Sequence, residues 1–112
     1  MNITIQPISI VDYPVDCLFL TTASDLTSSF SKELRDAVES AAKSHCHLIY
    51  LDSRQSKEAD LSGINEVIHA HHALKRAGKK MIFVYAQGST VQKWVEVTGL
   101  YRFVETAIIT HP

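Results

Sequence analysis

A chain of 112 residues with a formal net charge of −1, 46% hydrophobic and 21% charged residues has the composition of a single folded domain and excludes a disordered segment. The near-neutral balance, without a basic stripe interleaved with aromatics, argues against nucleic acid as a partner, and no apolar run approaches the roughly 20 residues that span a bilayer. No basic segment leads into an apolar one at the start, and Cys17 and Cys46 both stand beside apolar residues. The expectation is a cytoplasmic protein with reduced, buried thiols and no direct membrane insertion.

Over residues 1–10, Ile3, Ile5, Ile8 and Ile10 alternate around Pro7, which suits a first strand at a sheet edge. Residues 11–15, with Asp12 and Pro14, read as a turn, and the apolar run Cys17 to Leu20 as a second strand that closes a hairpin with the first. Residues 22–29 form a Ser/Thr-rich loop with cap candidates at Thr27 and Ser28. Phe30, Leu34, Ala37, Val38, Ala41 and Ala42 then recur at helical spacing.

The run Leu48 to Leu51 has no polar alternation and reads as a buried strand, followed by a polar connection over residues 52–59. After a second helix, residues 80–86 form another apolar strand, and the strand–helix–strand order implies a right-handed crossover between parallel neighbours. Gln87-Gly88-Ser89 turns the chain into a third helix capped by Ser89, with Val91, Trp94 and Val95 inward. Gly99 followed by Leu100 fits a glycine stop, and residues 107–110 a short last strand. The class is α/β: a mixed sheet with helices mainly on one face and a helical-layer core that includes Phe30, Leu34, Val38, Ile68, Leu74, Val91 and Trp94.

The most informative stretch is Ala59-Asp60-Leu61-Ser62-Gly63-Ile64. A short acceptor side chain here can bond the free amides of a first helical turn, and Gly63 lets another backbone or a partner come close. From Ile64 the apolar residues Val67, Ile68 and Leu74 form an inward stripe that includes His71. Ser62, Asn65, His69, His72 and Arg76 fall on the other side. Read from these residues alone, Ser62 is a helix-capping serine.

Asp60-Leu61-Ser62-Gly63, the helix ending near Gly78, the strand from Met81 to Ala86 and the segment Val97-Thr98-Gly99-Leu100-Tyr101-Arg102-Phe103 together resemble the STAS domains typified by bacterial anti-sigma factor antagonists. The resemblance covers roughly residues 16–110. It implies a STAS-like fold and a binding role without enzyme activity, with Ser62 matching the serine or threonine that a cognate kinase phosphorylates. The partner it implies is an anti-sigma factor acting as a serine kinase, docked on Asp60, Leu61, Ser62 and Gly63 with Asn65, Glu66 and His69 of the second helix. Two departures bear on that interface: the connection Arg54 to Glu58 is polar where the family has an apolar run, and Leu61 replaces the family's first serine. Related readings are a STAS subunit of a membrane lipid-transport ATPase, or a carrier or sensor with a small-molecule pocket.

Other chemistry finds less support. His69 and His72 lie three apart on one helical face and His45-Cys46-His47 offers further donors, but nothing draws three or four ligands together, so these read as solvated histidines and no metal is expected. His71 reads as partly buried with one hydrogen-bond partner. Ser62 lacks a Gly-x-Ser-x-Gly elbow and the chain lacks a Gly-rich phosphate loop, so neither a hydrolase nor a bound cofactor is expected.

Overall fold

The apolar runs of the sequence become neighbouring strands. The computed structural model describes residues 3–9, 16–22 and 25–110. In it β1 (Ile3–Ser9), β2 (Asp16–Thr22), β3 (Leu48–Asp52), β4 (Lys80–Ala86) and β5 (Glu105–Ile109) form a five-stranded sheet in the order β1-β2-β3-β4-β5. β1 and β2 pair antiparallel, and every later pair is parallel. This is the expected mixed α/β sheet, with β1 at an edge and β3 parallel to β4. The expected turn at residues 11–15 lies outside the described residues.

Helices α1 (Ser31–Lys43), α2 (Leu61–Arg76) and α3 (Thr90–Thr98) each connect successive parallel strands. Because strand order follows chain order, right-handed crossovers place all of them on one face of the sheet. The register explains the core. Leu18, Ile49 and Met81 align across β2, β3 and β4, as do Leu20, Leu51 and Phe83, and these are the buried rows against which the helices pack. Leu34, Val38 and Ala41 of α1, Ile64, Val67 and Leu74 of α2, and Val91 and Val95 of α3 close the core from the other side. Cys17 and Cys46 are buried and not joined by a disulfide.

Local signals are mostly realised. Ser89 Oγ accepts from the Gln92 amide at 3.1 Å and caps α3, and Gly99 ends it with a left-handed φ of 70°, a conformation open to glycine at little strain. Three expectations change. Thr27 and Ser28 do not cap α1: a 3₁₀ turn over Ser28–Phe30 leads into it, Thr27 Oγ1 lies 3.0 Å from Ser29 Oγ instead, and fully buried Phe30 anchors the entry. Ile68 and Trp94 are half-buried at the margin of the core rather than inside it, because each sits at the edge of its helix's inward stripe. The last strand begins at Glu105, in register with Ile82.

Candidate functional site

The turn before α2 is built from two loops zipped together at the carboxyl end of the parallel strands. Asp25 Oδ1 accepts from the backbone amides of Lys57 at 3.2 Å and Glu58 at 3.0 Å. The Leu26 amide donates to the Glu58 carbonyl at 2.9 Å, the Asp60 amide donates to the Leu26 carbonyl at 3.0 Å, and Leu26 and Ala59 form a parallel bridge. The connection expected to be merely polar is in fact anchored through its polar groups. Asp52, Ser53 and Ser56 are buried, the Ser53 amide and hydroxyl both donate to the Val84 carbonyl at 2.8 Å, and Arg54 bonds both carboxylate oxygens of Asp52. Buried polar groups are thus hydrogen-bonded, and these bonds tie the loop to β3 and β4.

From this base Asp60 enters α2 in extended conformation, and its Oδ1 accepts from the Gly63 amide at 2.9 Å. Asp60 is therefore the cap of α2, and Ser62, inside the first turn, is not. Among the described residues the Ser62 hydroxyl has no side-chain hydrogen bond, and no base is aimed at it. It is exposed, next to Leu61, which leaves 52% of its surface open, and above exposed Asn65 and His69 on the same helix.

Gly63 and Glu66, both expected in the docking surface, are turned inward. A Cβ at Gly63 would lie 1.8 Å from the Leu26 carbonyl oxygen, so the close approach that the glycine permits is made by the chain's own β2–α1 loop. Glu66 is 8% exposed and faces α1, where Arg35 donates to its two oxygens at 2.8 and 3.3 Å. The hydrogen bond and the charge of Glu66 hold the Arg35 guanidinium above its ordinary pKa. Reading α2 alone cannot find this, because the partner lies 31 residues away on another helix. Asp25-Leu26-Thr27 keeps part of the segment that STAS domains have before their first helix, but that likeness does not tell that Asp25 and Leu26 hold the turn before α2.

His71 sits on the inward side with its Nδ1 buried and without a hydrogen-bond partner, in place of the expected bond. Burial, together with the nearby charges of His72 and Lys75, lowers its pKa from 6.5. His72 lies 5.2 Å away ring to ring, and among the described residues no three His, Cys, Asp or Glu side chains gather as metal ligands. No helix among the described residues is long and apolar enough to cross a membrane.

The segment 97–103 lies at the opposite end of the sheet from Ser62, since α3 runs back from the carboxyl ends of the strands to the start of β5. There Val97, Tyr101 and Phe103 are 71%, 51% and 65% exposed. The two motifs flank the sheet and do not meet.

Comparison with known proteins agrees with this architecture. A crystal structure of a candidate anti-sigma factor antagonist from Thermotoga maritima superposes with a TM-score of 0.71 over 96% of this chain and 86% of that one, at 13% sequence identity. The NMR structure of the protein TM1081 gives a TM-score of 0.67 at 13% identity, over 96% of this chain and 83% of that one. No curated protein sequence matches. The family model described as the STAS domain matches residues 10–111, and the chain therefore belongs to the STAS domain family.

Proposed function

We propose that this chain is a non-enzymatic binding module that docks a protein partner through the turn at Asp60 to Ser62 and the outward side of α2, and that phosphorylation of Ser62 releases that partner. The observation that carries the reading is the separation of roles at the start of α2: Asp60 caps the helix, Gly63 packs on Leu26, and Ser62 is left exposed with no structural duty. A phosphate there adds about −1.5 to −2 charges at a helix N-terminus, which the helix tolerates, while a partner covering the turn must desolvate it. The switch acts on binding and not on folding. The resemblance to anti-sigma factor antagonists points to an anti-sigma factor with serine-kinase activity as the partner. Leu61, Asn65 and His69 supply the rest of the contact surface, with Leu61 as its apolar anchor.

Affinity capture from the native cell, followed by binding measurements on Ser62→Asp and Ser62→Ala, tests this. Ser62→Asp is expected to lose about tenfold or more in affinity for the captured partner, as an unpaired charge buried at an interface does, and Ser62→Ala to bind normally. Incubation of the wild type with partner and ATP is expected to add one phosphate at residue 62. Unchanged affinity of Ser62→Asp together with an unmodified serine would end this reading in favour of a transporter subunit or a ligand carrier.

A further inference from the structure

The face between α1 and α2 holds a groove of about 620 Å³, within the usual range of ligand sites. Its floor and walls are apolar: Leu34, Val38 and Ala42 from one helix, Ala70 and Ala73 from the other. The small side chains facing each other account for the space, since Ala42 and Ala73 leave half-buried methyl groups where larger residues would have met.

The two ends of the groove differ. At the end nearer the Ser62 turn, the Arg35–Glu66 ion pair crosses from one helix to the other and shuts it, with N–O distances of 2.8 and 3.3 Å. At the other end stands Arg76, in the last turn of α2. The charges along the rim are unequal in the same direction. Glu66 is matched by Arg35, and Glu39 by Lys43 at 3.1 Å, whereas Arg76 has no ion pair or hydrogen bond among the described residues. His72, one turn before it, and His69, further back towards Glu66, line the same rim.

We propose that this groove binds a single-chain fatty carboxylate, its head at Arg76 and His72 and its tail lying over Leu34, Val38, Ala42, Ala70 and Ala73 towards the Arg35–Glu66 bridge. The apolar floor fits a hydrocarbon, and Arg76, the rim cation at the open end that is unmatched among the described residues, calls for a single anionic group. The closed end favours a molecule with a terminus over a helix that would run through. From Leu34 to Ala42 the floor extends roughly 12 Å along α1 at about 1.5 Å per residue, which suits a tail of medium length. The site does not depend on partner docking at Ser62, and its test can fail while that reading stands.

The probe is decanoate, followed by amide NMR titration of the whole chain, with decanol as the neutral analogue of the same length and acetate as the head alone. Decanoate is expected to saturate below its micellar concentration, with shifts centred on the facing sides of α1 and α2, and acetate to leave the spectrum unchanged. Decanol is expected to bind the same residues about tenfold more weakly, because it lacks the charge-assisted bond. Arg76→Gln changes an exposed side chain and leaves the fold intact; it is expected to bring decanoate down to the affinity of decanol without altering decanol itself. The proposal is overturned if decanoate does not saturate, if its shifts centre elsewhere, if binding appears only on anionic phospholipid vesicles, or if Arg76→Gln binds decanoate as the wild type does.

Discussion

The two ends of the parallel sheet are built on different principles. At the carboxyl end, loops 25–27 and 53–60 are tied by backbone bonds and by satisfied buried polar groups, with Gly63 pressed against Leu26. At the amino end of β5, the chain turns at Gly99 and leaves Val97, Tyr101 and Phe103 open to solvent. Both ends use a glycine. One is needed because there is no room for a side chain, the other because the backbone adopts a left-handed conformation in open space. The end that carries the candidate switch is thus the more tightly bonded one, and an exposed serine on it can gain charge without breaking any of those bonds.

The sharpest way to break the comparison is to add one methyl group at each glycine. Gly63→Ala puts a Cβ 1.8 Å from a backbone oxygen that cannot move without opening the Leu26–Ala59 bridge, and a loss of about 3 kcal/mol or more in chemical denaturation is expected. Gly99→Ala meets only the flexible Arg102 side chain at 3.7 Å, so its loss is the strain of the left-handed backbone, about 1 kcal/mol. Equal losses at the two sites would show that the carboxyl end is not the tighter one.

Removing the cap is milder. Asp60→Ala is expected to lose about 1 kcal/mol, while Ser62→Ala stays within about 0.5 kcal/mol by the same measurement. The reverse order would return the capping role to Ser62. The smallest effect concerns pH. The His71 pKa is lowered in the folded chain by burial first, so below the unfolded value of 6.5 the unfolded chain takes up a proton that the folded chain resists. The stability is fully present above pH 6.5 and declines as the pH falls from there towards the lower folded value. His71→Met is expected to flatten that decline in urea midpoints compared between pH 7.5 and 5.5, and an undiminished slope would assign it to other groups.

Much of this was legible in the sequence, for physical reasons. Leu48 to Leu51 and Met81 to Ala86 are unbroken apolar runs, which only strands buried on both sides or at the centre of a sheet tolerate, and the helix between them fixed their direction. The wheel correctly set Ser62, Asn65 and His69 outward. What it could not do was separate a polar residue facing solvent from one facing a neighbouring helix. Glu66 lies on the flank of α2 that meets α1, and only the packing of the two helices shows that Arg35 waits there. Asp52, Ser53 and Ser56 escaped for the related reason that a polar loop reads as solvated until its hydrogen-bond partners are known. Ile68 and Trp94 show the opposite error, since apolar character at a stripe's edge does not guarantee full burial.

The strictly sequential strand order also bears on how the molecule assembles. Each strand pairs only with its neighbours in the chain, so the sheet can grow by adding one β–α unit at a time, closing only the loop that each helix spans. The bridge from Leu26 to Ala59 is different, because it joins loops on either side of a complete unit and has nothing to hold until β2, α1 and β3 are in place. The seat of Ser62 is therefore expected to be a late arrival in folding. Mutations that loosen that bridge should leave the folding rate nearly unchanged and act on unfolding, so that the turn is complete only on a finished domain. A slowed folding limb in a Gly63→Ala chevron, which displaces the Leu26 carbonyl and so the bridge, would contradict that order of events.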